Sequence, residues 1–87
     1  MPAIINNGQH GAVYVMARTT QDQLNGLSYA DVVNQVRDNP NEIGNYDLLP
    51  GKQAEIESNQ WVVVAYERAI ILDTQQMGNH DIKLWTD

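Results

Sequence analysis

The sequence predicts a small α+β domain in which one amphipathic helix packs on one face of a mixed or antiparallel sheet of about four to five strands. Three observations lead to this fold class: short β-prone apolar segments, one segment with helical periodicity, and turn signals between them. The predicted order along the chain is β-β-α-loop-β-β-β. The 87 residues suffice for a single small acidic domain, 1–87, with a thin hydrophobic core.

Two apolar segments at the start of the chain are predicted to form a β-hairpin, with strands at about Ala3–Asn6 and Ala12–Arg18. Between them lies "NNGQHG", in which Asn7-Gly8 is a strong turn signal because both residue types tolerate a positive φ. We therefore expect these two strands to pair with each other.

The segment "SYADVVNQVRDNP" is predicted to form a short amphipathic helix. Ser28 is a favourable N-cap, and Asp31 at the third helical position suits the exposed N–H groups of the first turn. Pro40 prevents the helix from continuing. The apolar positions follow the spacing i, i+3, i+4 and i+7, which places Tyr29, Val32, Val33 and Val36 on one face.

The next segment, "DNPNEIGNYDLLPG", is predicted as a long loop because it contains two of the three prolines and two glycines. Loops of this length are uncommon in compact domains and are often functional. Its apolar residues are expected to hold it against the core; they are Ile43, Tyr46, Leu48 and Leu49.

The C-terminal part is predicted to consist of strands, in "QAEIES", "WVVVAYERAIILD" and "IKLWT". Ten of the twelve residues from Trp61 to Leu72 are apolar, and Glu67-Arg68 interrupts them. We favour one strand that bends or bulges near Tyr66–Ala69. A hairpin with a longer turn through the two charged residues is the alternative. A catalytic pair is disfavoured because adjacent strand residues point to opposite faces.

A segment that is apolar on both faces has to be covered, because an exposed β-prone surface aggregates. One short helix shields only one side of a sheet. The other side would need the long acidic loop, a second copy of the chain or a different protein. This consideration favours a role in protein interaction.

The chain carries a net charge of −6, with 11 acidic and 5 basic residues. This balance disfavours direct nucleic-acid binding because a phosphate backbone would be repelled. The segment Asp38–Glu57 alone has a net charge of −4 and is a candidate docking patch for a basic protein. The predicted partner-binding residues are Asp38, Glu42, Tyr46, Asp47, Leu48, Glu55 and Glu57.

No catalytic residue, metal site or cofactor is predicted. The chain has no Cys, and His10 and His80 lack the spacing of a metal-binding pair. Neither Ser28 nor Ser58 lies in a nucleophile motif. We see no signal peptide and no run of about 20 apolar residues, so we expect a cytoplasmic protein that does not bind membranes.

One enzyme class shares a feature with the start of the chain. The beginning "PAII" resembles that of small tautomerases, which use an N-terminal proline as a base. The resemblance implies that Pro2 would be the reactive amine once Met1 is removed, with Arg18 or Arg68 binding an acidic substrate. It covers about four residues, and the chain then departs from the family, which has a helix after its first strand.

The sequence thus predicts a non-enzymatic protein-binding module, such as an inhibitor, an adaptor or an assembly subunit, which uses the acidic loop against a basic partner. A narrower version is a mobile-element inhibitor of the anti-restriction or anti-CRISPR type, whose carboxylates imitate phosphates. The alternatives are a structural homo-oligomer joined through the Trp61–Leu72 strand and a tautomerase-like enzyme. For Trp85 we favour the interpretation as a lid over the core, and a residue that contacts a partner is the alternative.

Overall fold

The computed structural model describes residues 2–86, which fold into three layers: a helix, a four-stranded sheet and a three-stranded sheet. The protein therefore has an α+β fold with two sheets and one main helix, and the prediction of a single sheet was wrong. The elements are β1 (Ala3–Asn6), β2 (Val13–Arg18), a 3₁₀ turn (Gln21–Gln23), α1 (Tyr29–Asp38), β3 (Asn45–Leu48), β4 (Gln53–Glu55), β5 (Trp61–Tyr66), β6 (Arg68–Asp73), α2 (Thr74–Met77) and β7 (Ile82–Leu84).

The four-stranded sheet is the middle layer, and its strands run antiparallel in the order β3-β2-β5-β6. Its two central strands, β2 and β5, are buried along most of their length. Because strand side chains alternate between faces, one set points towards α1 and the other towards the second sheet. The helix-side cluster comprises Tyr14, Met16, Leu24, Val32, Val33, Val36, Val63 and Ala65.

The three-stranded sheet covers the other face of the middle layer, with the order β4-β1-β7. Strand β1 pairs antiparallel with β4 and parallel with β7. The core between the two sheets comprises Ile4, Val13, Val15, Ala17, Leu48, Ala54, Ile56, Val62, Val64 and Met77. The chain thus supplies its own cover for the face that was expected to need the acidic loop, a second copy or a partner.

Helix α1 forms where its periodicity predicts it. The Ser28 hydroxyl accepts a hydrogen bond from the amide of Asp31 (3.1 Å), and the Asp31 carboxylate accepts one from the amide of Ser28 (3.0 Å). This reciprocal capping satisfies two N–H groups of the first turn. The three valines of the apolar face are buried, whereas Tyr29, the first residue of the helix, is exposed.

The opening hairpin was wrong, although both strands exist with bounds close to those predicted. Strands β1 and β2 belong to different sheets, and residues 7–12 carry the chain from one sheet to the other. Asn7 and Gly8 form neither a turn nor a bend, and they lie beside the C-terminal segment, where the amide of Asn7 donates to the carbonyl of Leu84 (2.7 Å). A local turn signal does not show whether a strand from a distant part of the chain will pair with β1 in place of β2.

The long loop between α1 and β4 contains a strand, β3, which the sequence analysis missed. Its residues pair with β2 along the edge of that central strand. The expected anchoring is confirmed for Leu48, which is buried, and for the half-buried Tyr46. It was wrong for Ile43 and Leu49, both of which are exposed.

The Trp61–Leu72 segment is a hairpin of two strands, so the bent single strand was wrong. The chain reverses at Glu67, whose φ is 60°, and Ala65 pairs with Ala69 across the turn. The turn is tighter than that of the longer hairpin considered as the alternative. A hairpin leaves β5 paired on both edges, with β2 and with β6. A homodimer through this segment stays a prediction, in which the outer edge of β6 would meet the second copy.

Candidate binding surface

The predicted acidic surface is divided between two sides of the molecule. On the first side, Asp38 ends α1 and Glu42 follows it in the loop, both exposed. The Glu42 carboxylate lies 3.8 Å from the guanidinium of Arg18, which also donates a hydrogen bond to Asn45 (2.7 Å). An ion pair of this kind lowers the net negative charge that a partner would meet there.

Asp47 lies on the same side, on β3. It is opposite Tyr14 in the register and therefore shares the face of the sheet that meets α1. Arg37 is close to this position, because its guanidinium donates to the Tyr14 hydroxyl (3.0 Å) and lies 5.2 Å from the centre of the ring. The side carrying Asp38, Glu42 and Asp47 thus contains two arginines as well.

Glu55 lies on the opposite side, in the three-stranded sheet. Its neighbour Ala54 points into the core, so Glu55 points outwards from the sheet, opposite Ala3. Glu57 is exposed in the turn that follows β4. These two carboxylates cannot meet the same flat surface as Asp47, because the core of the molecule separates them. Leu48 is 4% exposed and contributes to that core, so we leave it out of the proposed surface.

Trp85 is the largest exposed apolar side chain in the described part of the chain, with 65% of its surface accessible. This exposure does not fit the interpretation of Trp85 as a lid over the core. The residue lies between two grooves. One, of about 380 Å³, is lined by Asn7, Gly8, Gln9, His10, Trp85 and Thr86. The other, of about 270 Å³, is lined by Gly11, Ala12, Tyr29, Ala65, Tyr66, Glu67, Trp85 and Thr86.

The backbone that carries Trp85 is held from two directions. The amide of Gln9 donates to the carbonyl of Thr86 (3.0 Å), which extends the contact between the C-terminal segment and the start of the chain. From the other sheet, the Tyr66 hydroxyl donates to the carbonyl of Trp85 itself (2.6 Å). The exposed indole therefore projects from an ordered backbone, as a rigid anchor does.

A fully buried asparagine, Asn6, is hydrogen-bonded to residues that line the first groove. The Asn6 amide nitrogen donates to the carbonyls of Gly11 (2.8 Å) and Leu48 (2.9 Å), and its oxygen accepts from the amide of Gly8 (2.9 Å). The hydroxyl of Thr86 joins this network by accepting from the amide of Gly11 (3.2 Å). A β-carbon at Gly8 would overlap Thr86, so glycine is what allows this close approach.

The second groove contains one acidic side chain. Glu67 lines it, together with Tyr29, Tyr66 and Trp85. No lysine or arginine belongs to this lining, as far as residues 2–86 show it. The groove therefore combines aromatic residues with a single carboxylate.

The residues considered for chemistry lie apart from one another. Pro2 is buried at the start of β1, and its carbonyl accepts a hydrogen bond from the amide of Ile56 (2.9 Å). A reactive Pro2 amine stays a prediction. His10 lines the first groove, whereas His80 lies in the turn before β7. Within the described chain, no three His, Cys, Asp or Glu side chains are close enough together to hold a metal ion.

This surface was not predicted from the sequence, although the sequence contains a signal for it. In "IKLWT" the apolar residues Ile82 and Leu84 alternate with Lys83 and Trp85, so period-two spacing places Trp85 on the outward face with a lysine. That pattern predicts an exposed tryptophan. It does not predict the grooves, because they depend on residues from four distant parts of the chain.

Neither the sequence nor the fold identifies a known relative. No helix within residues 2–86 has both the length and the apolar character needed to cross a membrane. The chain matches no protein family model, and no curated protein or solved structure was found to be similar to it. Its function therefore has to be argued from the surface around Trp85 itself.

Proposed function

We propose that this protein is a non-enzymatic binding module for a basic protein partner. The observation that carries the proposal is the exposure of Trp85 on an ordered backbone between two grooves. Tryptophan and tyrosine are enriched among the few residues that dominate the binding energy of protein interfaces. A rigid aromatic side chain also loses little conformational entropy when a partner covers it.

The acidic residues would act mainly at long range. The net charge is −6, and the exposed carboxylates are distributed over more than one side of the molecule. A charge spread in this way accelerates encounter with a basic partner more than it strengthens any one contact. In this proposal the carboxylates of the predicted acidic surface attract the partner, and Trp85 anchors it.

Affinity capture with matched variants tests the proposal. The tagged protein would be exposed to lysate of its source organism or host at two salt concentrations. We expect Trp85→Ala to reduce capture of a basic protein at least tenfold, because an interface anchor is removed. The control is Ile43→Ala, which removes a side chain that is 95% exposed and belongs to neither groove. Equal capture by wild type and Trp85→Ala would overturn the proposal.

The electrostatic component has its own test. Replacing Asp47, Glu55 and Glu57 together with their amides removes three negative charges without truncating a side chain. We expect slower association and weaker capture at low salt, with little difference at high salt, where exposed charges are screened. Unchanged capture at low salt would remove the long-range charge from the proposal.

The narrower version, a mobile-element inhibitor that imitates nucleic acid, makes one further prediction. The captured partner would then be a nucleic-acid-binding protein, and added DNA or RNA would compete with this chain for it. The separation of Asp47 from Glu55 means that the imitation could use only one of the two acidic sides at a time. A partner that still binds nucleic acid when saturated with this chain would exclude this version.

A further inference from the structure

We propose that the groove lined by Tyr29, Tyr66, Glu67 and Trp85 receives a cationic side chain, arginine or lysine, from the basic partner. We call it the cation groove. This inference rests on the proposed function and deepens it, because it names the chemical group that the surface recognises.

The composition of the cation groove favours a cation over other groups. Three aromatic residues belong to its lining, and a cation over an aromatic face is attracted by the negative face of the ring. Glu67 adds a carboxylate, which can pair with an ammonium or guanidinium group. An anionic group would be repelled by the same carboxylate, and a purely apolar group would leave it without a partner.

The charge of Glu67 is available to a ligand. In residues 2–86, no lysine or arginine lies within 4.0 Å of its carboxylate, since the ion pair that the structure shows is between Arg18 and Glu42. The adjacent Arg68 is opposite Tyr66 in the register of the hairpin and does not line the groove. The overall charge of −6 adds a long-range attraction for cations.

The backbone at Glu67 is an independent observation that points the same way. Its φ of 60° makes it the one residue other than glycine with a positive φ in the described chain. Tight hairpin turns at such positions favour Gly, Asn or Asp, and glutamate is a poor choice. Strained backbone of this kind concentrates at ligand sites, where the side chain and not the turn explains the residue.

A peptide titration followed by NMR tests this inference directly. The probe is the blocked tripeptide acetyl-Gly-Arg-Gly-amide, and the matched control replaces arginine with citrulline, which is neutral and nearly the same shape. We expect the arginine peptide to shift the indole N–H signal of Trp85 in a saturable way. The indole of Trp61, which lines neither groove flanking Trp85, is an internal reference. The citrulline peptide should bind at least tenfold more weakly.

Two charge variants separate the groove from the overall charge. Glu67→Gln should weaken binding of the arginine peptide at least fivefold. Glu55→Gln changes the net charge equally, but Glu55 lies on the outer face of the other sheet. The affinity of this variant for the arginine peptide should therefore stay within twofold of that of the wild type. Both side chains are exposed, so we expect both variants to fold.

Each contrary result has a defined meaning. Equal binding of the arginine and citrulline peptides, or no saturable shift of Trp85, would overturn the cation groove. Equal weakening by Glu67→Gln and Glu55→Gln would also overturn it, by showing that only net charge matters. If partner capture is lost in Trp85→Ala but kept in Glu67→Gln, the proposed function stands and this inference falls. If Trp85→Ala captures the partner as well as the wild type does, the proposed function is wrong, whether or not the arginine peptide binds.

Discussion

The two sheets of this protein are stabilised in different ways. The four-stranded sheet has two central strands of six residues, buried on both faces between α1 and the second sheet. The three-stranded sheet has strands of four, three and three residues, and its outer face is exposed in part. Its strands are joined to the rest of the chain by specific polar contacts, such as the hydrogen bond from the Asn6 side-chain amide to the Leu48 carbonyl in β3 (2.9 Å).

This difference predicts where single substitutions act most strongly. Apolar burial in the four-stranded sheet is shared among many side chains, so the loss of one is partly absorbed by its neighbours. A buried polar contact is not shared, because a donor or acceptor left without a partner loses its hydrogen bond entirely. The three-stranded sheet also holds the backbone of the Trp85 segment, so damage to it should reach the candidate binding surface.

The largest effect is expected for Asn6→Asp. The new carboxylate would place an oxygen where the amide nitrogen now donates to the carbonyls of Gly11 and Leu48. The loss of two hydrogen bonds and the burial of a charge should lower the free energy of unfolding by more than about 3 kcal/mol at pH 7. Urea denaturation would measure it, and a chain that is already unfolded without urea agrees with the prediction.

The comparison for this variant is Val64→Ala in β5. Val64 is buried in the core between the sheets, and removing two methyl groups should cost about 2 kcal/mol. The contrast between the sheets requires Asn6→Asp to be the more destabilising of the two. The opposite order would show that the three-stranded sheet does not depend on the asparagine network.

The second largest effect is expected for Gly8→Ala. The added β-carbon would overlap the hydroxyl and the backbone nitrogen of Thr86, so the C-terminal segment has to move. We expect a loss of about 1–3 kcal/mol together with a shift of the Trp85 indole signal. The control is Gly11→Ala, whose β-carbon would come to 3.2 Å from Thr86 and needs only a small adjustment. Equal and negligible effects for both variants would contradict the close packing of these segments.

A smaller effect is expected for Ser28→Ala, which separates the stability of α1 from the Asn6 network. Loss of the cap at the start of α1 should cost about 1 kcal/mol. The helix packs on the opposite face of the four-stranded sheet from the Asn6 network, so the side-chain amide signals of Asn6 should keep their chemical shifts. The Trp85 indole does not serve as this control, because Tyr29, the residue after the cap, lines a groove with it. A shift of the Asn6 signals as large as that caused by Gly8→Ala would mean that the network responds to any loss of stability.

What the sequence predicted correctly depends on local patterns. The cap, the apolar spacing and Pro40 are all within a few residues of one another, and they defined α1 correctly. Side chains from Trp61 to Leu72 also alternate between the two faces of the sheet, as the geometry of a strand requires, even though the chain folds back. Since Ala65 pairs with Ala69, the hairpin keeps residues of the same parity on the same side of the sheet.

What the sequence did not predict depends on pairing between distant segments. Strand β1 pairs with β4 and β7, which are separated from it by tens of residues, and no local signal distinguishes these partners from β2. The candidate site is of the same kind. Trp85, Tyr66 and Tyr29 line one groove only because two sheets and the start of α1 meet there. The acidic segment looked continuous in sequence, but its carboxylates are divided between two sides of the molecule.

The smallest effect is expected for Glu67→Gly, which should stabilise the protein, whereas the other substitutions should destabilise it. At a φ of 60°, the β-carbon of Glu67 is crowded against the backbone, which strains the folded state. Glycine has no β-carbon and avoids this strain. We expect the free energy of unfolding to rise by about 0.5–1 kcal/mol, because relief of the strain exceeds the added flexibility of the unfolded chain. Thermal unfolding would measure the change.

Glu67→Ala is the matched control, because it removes the carboxylate but keeps the β-carbon. It should bring no gain in stability, while both variants should lose binding of the arginine peptide equally. Together the two variants separate the backbone conformation of Glu67 from the charge of its side chain. Glycine relieves the strain in the turn, whereas both variants remove the carboxylate from the cation groove. If Glu67→Gly is no more stable than Glu67→Ala, the backbone at Glu67 is not strained, and its conformation no longer indicates that the side chain is there for a ligand.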